Sequence, residues 1–155
     1  MPDVKPVKKE ASGRLRSAEQ ATFLNIQKTA DILMGELADL LKPHALSPTQ
    51  YNVLRILRAA GPDGLACGKI SDRMLTREPD MTRLLDRLEK RELLTRSRDA
   101  SDRRVVRASI TKTGLGLLER LDQPIADLHR TQLGHLGREK LKLLADLLET
   151  ARART

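Results

Sequence analysis

Residues 96–107 read RSRDASDRRVVR and put five arginines and two aspartates around one small turn. Guanidinium groups at that density repel one another and add nothing to a core, so the chemistry they offer is anion binding. Arginine at a turn tip suits the narrow minor groove of DNA. Negative potential is concentrated there, and a guanidinium is less costly to dehydrate than an ammonium. Asp102 is spaced to hold a neighbouring arginine by a two-pronged hydrogen bond. Just upstream, PDMTRLLDRLEKR (79–91) offers a second surface of this kind. At 100° per residue Met81, Leu84, Leu85 and Leu88 gather on one side, while Thr82, Arg83, Asp86, Arg87 and Lys90 spread over the opposite arc. Alone, that arc describes a solvated helix face equally well; the arginine-rich turn that follows favours a reading surface.

Several elements must hold these groups in place. In residues 17–41, Phe23, Ile26, Ala30, Leu33, Leu37 and Leu40 alternate steps of three and four, one stripe of a long helix that Lys42 and Pro43 end. So narrow a stripe on so long a helix suits pairing with a second chain. Ser47, Pro48 and Gln50 spell a capping box opening a helix that closes at Gly61, with Tyr51, Val53, Leu54 and Leu57 buried. A short helix is expected over 68–75, with Ile70, Met74 and Leu75 inward. A turn holding Thr76 to Glu78 follows, and the next helix starts at Pro79. Residues 93–98 and 104–110 read as strands around a turn at 99–102. Helix, turn, helix and hairpin in that order predict a winged helix-turn-helix, mainly α with a small β-hairpin wing.

Global composition agrees. At 155 residues and 39% hydrophobic content, the chain fits one domain with one modest core. Its 29 Lys plus Arg against 21 Asp plus Glu, net +8, suit a polyanion partner. No apolar run approaches the roughly 20 residues that span a bilayer, so no membrane partner is expected. Residues 1–16 read as a disordered basic arm without the apolar block of a secretory signal. The single cysteine, Cys67, excludes an internal disulfide framework and suits a reducing cytoplasm. His44, His129 and His135 have no ligand spacing with Cys67, so neither a metal nor any other cofactor is expected.

LSPTQYNVLRIL, then MTRLLDRLEKRELLTR, then RDASDRRVVRASITKTG resemble the MarR family of bacterial transcriptional regulators in order, spacing and residue type. The resemblance covers nearly everything but the basic arm. It implies no enzyme, but a homodimer that binds a pseudo-palindromic double-stranded operator and is released by a small-molecule effector, often an aromatic or phenolic acid. Residues 47–111 become the DNA-binding lobe, and 17–43 and 112–152 the dimerisation helices of a single domain over 17–155. The wing motif falls on Asp102, Arg103 and Arg104, with Arg104 for the minor groove and Asp102 orienting it. The recognition helix places Thr82, Arg83 and Arg87 at bases or phosphates, and Arg73, Arg77, Arg98 and Arg103 complete the expected DNA-contact set. The dimer interface is expected at Phe23, Ile26, Leu141, Leu144 and Leu148.

Several residues keep two readings. Glu78 and Asp80 either cap the recognition helix or accept from cytosine amino groups, capping being the commoner role. Pro124 is expected to start a new turn or kink its helix. His44, Tyr51 and Arg55 are candidates for an effector pocket, against a bland role in packing or capping. Cys67 reads either as an inert core residue or as a redox sensor with a lowered pKa. Gly68, Lys69 and Ser71 superficially suggest a phosphate loop, but that pattern needs Gly at 63 and Ser or Thr at 70, where the chain has Asp63 and Ile70. The remaining rival is an effector-independent, sequence-tolerant DNA-coating protein.

Overall fold

The computed structural model describes residues 17–153; the expected basic arm lies outside them. Contacts divide the chain after Glu36. Before that division stands most of helix α1 (Ala18–Leu41), whose Phe23, Ile26, Ile32 and Met34 are all exposed.

The unit from Leu37 onward begins with the last turn of α1, where Leu41 is fully buried and Leu37 and Leu40 pack against the core. A 3-10 turn at Lys42–His44 leads to α2 (Pro48–Ala60). The expected capping box is present: Gln50 N–H donates to Ser47 Oγ at 3.1 Å, and Ser47 N–H donates to Gln50 Oε1 at 3.0 Å. Next come β1 (Leu65–Ala66), α3 (Cys67–Arg73), α4 (Met81–Lys90), β2 (Leu94–Arg98), β3 (Val106–Ile110), α5 (Lys112–Leu133) and, after a 3-10 turn, α6 (Arg138–Arg152).

The three strands form one antiparallel sheet in the order β1-β3-β2, with Leu94 opposite Ile110 and Arg98 opposite Val106. Leu54, Leu57, Ile70, Leu85, Leu88, Leu94 and Leu118 fill one core between α2, α3, α4, α5 and the sheet. Strand β1 was not legible beforehand, because two residues carry no alternation to read.

The remaining differences from expectation have local causes. Leu75 is 78% exposed, not inward: α3 stops at Arg73, and Leu75 N–H donates to the buried Asn52 Oδ1 at 3.0 Å, which turns the segment outward. Helix α4 starts at Met81, not Pro79, because the Asp80 carboxylate takes the free Arg83 amide at 3.1 Å. Pro124 neither ends nor begins a helix. It stands inside α5, which runs on to Leu133; the buried Leu121 and Ile125 on either side hold the helix through the missing donor.

Gly114 fixes how α5 meets the hairpin. A Cβ there would lie 2.3 Å from the Leu93 carbonyl oxygen and 2.7 Å from Ile110 Cγ1. Gly114→Ala therefore lowers unfolding free energy by about 2 kcal/mol or more, the range of overpacked sites. Thermal melting checks this, and an unchanged midpoint would mean a looser junction.

Candidate nucleic-acid interface

Helix α4 turns Leu85 and Leu88 into the core, so its opposite side faces out by geometry alone. Thr82, Arg83 and Arg87 are exposed on that side, Arg73 is exposed at the end of α3, and Arg77 is exposed in the turn between the helices. Glu78 and Asp80 both act as caps: Glu78 Oε1 accepts from Asp80 N–H at 3.0 Å, and Asp80 Oδ1 accepts from Arg83 N–H. Backbone amides thus occupy both carboxylates at the helix entrance.

The wing tip is built on Asp99. Its Oδ1 accepts from Ser101 N–H at 2.8 Å, Ser101 Oγ at 2.6 Å and Asp102 N–H at 3.3 Å. Its Oδ2 accepts from Arg107 Nη1 at 3.3 Å. Arg107 in turn donates to the carbonyls of Asp63 and Gly64, tying the wing to the approach to β1. Arg98 Nη1 donates to the Arg103 carbonyl at 2.8 Å. Asp102 works differently from the two-pronged expectation: its Oδ1 accepts from the Arg104 backbone N–H at 3.0 Å, not from a guanidinium. A carboxylate two residues ahead of an amide forms this short local turn more readily than it reaches around to the side-chain fork. Arg104 is thus oriented through its backbone.

The hydrogen bonds from Ser101 and Asp102 hold the Asp99 carboxyl down at about 2. Because the folded value is depressed, the stabilising contribution is present above the unfolded value of about 3.9 and is lost as pH falls toward the folded value. A carboxyl-carbon NMR titration of Asp99 should have its midpoint near 2. A midpoint near 3.9, the ordinary aspartate value, would contradict this wing-tip geometry.

The arginines therefore form two populations. Arg91, Arg96, Arg98 and Arg107 have protein partners: Arg91 donates to the carbonyls of His44 and Ala45, Arg98 to that of Arg103, and Arg96 is paired with Asp86 and Glu89. Asp86 thus faces the wing and not the outward arc it was assigned by helical geometry. Among the described residues, the guanidinium groups of Arg73, Arg77, Arg83, Arg87, Arg103 and Arg104 have no partner. Sequence reasoning missed the first population, since an arginine that will be pinned looks like one that will be free. The available signal was a pair of acids one turn apart, Asp86 and Glu89, ahead of an arginine in the next strand.

Of the three effector-pocket candidates, Arg55 is exposed, while Tyr51 and His44 already have neighbours in the chain. Tyr51 is buried with the Arg55 guanidinium 5.8 Å from its ring centroid, and burial pushes its hydroxyl above the usual tyrosine range. His44 is half-buried, and its carbonyl serves Arg91. A cavity of about 380 Å³ lies elsewhere, lined by Cys67, Gly68, Ser71, Met81, Thr82, Leu85, Arg96 and Val106. Cys67 opens α3, and burial pushes its thiol up, the direction of an inert side chain and not of a reactive thiolate.

On α6 no residue is buried; Leu144 is exposed, and Leu141 and Leu148 are half-buried. Among the described residues, no helix is long and apolar enough to cross a membrane.

A helix-turn-helix whose second helix runs straight into a three-stranded sheet with an arginine-rich tip is a winged helix-turn-helix. Residues 46–106 match the MarR family description. The chain is 33% identical to the HTH-type transcriptional regulator MhqR of Bacillus subtilis strain 168 over 106 residues, 68% of this chain and 72% of that one. It is 39% identical to a solved MarR transcription factor from Planctomyces limnophilus, covering 88% of this chain and 99% of that one with a TM-score of 0.68. A structure of Bordetella bronchiseptica BpsR, whose DNA binding is regulated by 6-hydroxynicotinic acid, has a TM-score of 0.80. At 21% identity, over 92% of this chain and all of that one, it speaks for the fold. The chain belongs to the MarR family.

Proposed function

We propose that this protein is a homodimeric transcriptional repressor of the cytoplasm that binds a pseudo-palindromic double-stranded operator and is released by a small aromatic or phenolic ligand. One observation carries the DNA-binding part: the unpartnered guanidinium groups lie on α4, beside it and at the wing tip, while the neighbouring arginines are used up in holding that surface in shape. Thr82, Arg83 and Arg87 enter the major groove, and Arg104 enters the adjacent minor groove with Arg98 and Arg103 on its walls. Arg73 and Arg77 meet backbone phosphates beside them.

The dimer forms through Phe23 and Ile26 on α1 and Leu141, Leu144 and Leu148 on α6, apolar groups that their own chain leaves wholly or partly uncovered. Residues 47–111 serve as the reading lobe. Two such lobes one DNA turn apart engage both half-sites at once, and occupancy of a promoter blocks polymerase. A ligand that alters the spacing of the lobes loses one half-site and with it most of the affinity. The regulation of BpsR by a hydroxylated aromatic acid supports this effector class.

Hydroxyl-radical footprinting on the DNA upstream of the gene tests the reading. Two protected segments with centres about 10 base pairs apart are expected, each flanked by a protected minor groove. Featureless protection along the fragment would favour a coating protein. Loss of the footprint on adding a hydroxylated aromatic acid would support the effector, and persistence with each such acid would count against it.

A further inference from the structure

Inside the reading lobe, Arg96 joins the recognition helix to the wing. Its backbone N–H donates to Glu89 Oε1 at 2.9 Å, its Nε to Glu89 Oε2 at 3.0 Å and its Nη2 to the same oxygen at 2.6 Å, while Nη2 also meets Asp86 Oδ1. Both carboxylates belong to α4, and Arg96 lies midway along β2, opposite Ala108. Among the described residues, only there, on the way from the buried base of the hairpin at Leu94 to its tip, is β2 hydrogen-bonded to the helix by side chains.

Next to the clamp, packing is incomplete. Thr82, Leu85, Arg96 and Val106 border the cavity of about 380 Å³ between α3, α4 and the wing. Apolar contact fixes an angle only where atoms touch, so across this gap the inclination of wing to helix depends on the charged fork.

We propose that Arg96 is a positioning residue that holds the wing at a set inclination to α4, so that one lobe engages a major groove and the neighbouring minor groove together. This rests on the reading of α4 and the wing as the DNA-binding surface. Arg96 itself makes no DNA contact; it lets Arg104 deliver its own. The clamp also neutralises Asp86 and Glu89 beside the phosphates, and losing that charge balance weakens binding by the same factor whether residue 104 is arginine or alanine.

A double-mutant cycle separates positioning from charge or stability. Full-length wild type, Arg96→Met, Arg104→Ala and the double variant are titrated against the upstream duplex at one salt concentration, with melting midpoints recorded. In the wild-type background Arg104→Ala is expected to weaken binding about 30-fold, and in the Arg96→Met background less than about threefold, because residues that act as a unit are not additive. An equal loss in both backgrounds overturns the proposal, since lost charge or stability would be additive. If Arg96→Met does not fold, the isosteric pair Asp86→Asn with Glu89→Gln takes its place, with the same expected and contradicting outcomes.

Hydrogen exchange on the free protein gives a second, DNA-independent reading. Arg96→Met should speed exchange of wing amides 98–105 about tenfold while the Leu85 and Leu88 amides keep their protection. Unchanged wing protection overturns the clamp. Absence of any DNA binding by the wild type would overturn the functional reading, and exchange would then decide the clamp on its own.

Discussion

Arg104→Ala is expected to weaken operator binding by about 30-fold or more, since each minor-groove arginine contributes roughly 1–2 kcal/mol and a dimer loses two. The melting midpoint and the dimer should be unchanged. The Arg104 side chain is exposed, and its guanidinium has no partner among the described residues, so the free protein loses no contact with it. The wing-tip frame should also survive, because it uses the Arg104 backbone N–H and the Asp99 carboxylate, which alanine at 104 leaves in place. Anisotropy titration alongside a melting curve checks both halves. Full affinity with an intact fold would remove Arg104 from the interface, and a collapsed fold would show the side chain to be structural.

Leu144→Asp should produce the opposite pattern. Leu144 is 38% exposed on a helix that buries nothing, beside Leu143 and Leu147, which are exposed too. In a two-fold interface the same patch meets itself, so one substitution removes two leucines and sets two carboxylates in a dehydrated seam. Unpaired charge there costs several kcal/mol, enough to turn a stable dimer into monomer at micromolar concentration. Sedimentation or light scattering reads the mass. A variant still dimeric at that concentration would move the interface off α6.

Much of the frame was legible in the residues. The spacing of Leu85 and Leu88 against Arg83 and Arg87 set which side of α4 faces out, and Ser47 with Gln50 marked the start of α2. The strands around the wing and their order after the recognition helix were legible for the same reason, since period and turn chemistry are local. What escaped depends on tertiary partners. Leu75 is apolar yet exposed because Asn52, more than twenty positions away, captures its amide. Pro124 continues a helix because its neighbours are buried, which no breaker rule contains. At the candidate site, types and positions could be read but not commitments. The organising role at the wing was expected of Asp102, but the tip is built on Asp99, and the Asp102 carboxylate holds only the Arg104 backbone amide. Arg96 and Arg107 looked like further anion ligands, and they are the fasteners that hold the free arginines out.

Whether the free arginines read a particular DNA sequence is decided by competitive binding of the purified protein to the DNA upstream of its own gene and to a scrambled duplex of the same composition, across a salt series. A sequence-reading regulator should prefer the upstream DNA by about a thousandfold or more. Log affinity should also fall linearly with log salt as arginines displace counterions from the phosphates. Equal affinity for the two duplexes at every salt concentration would contradict sequence reading.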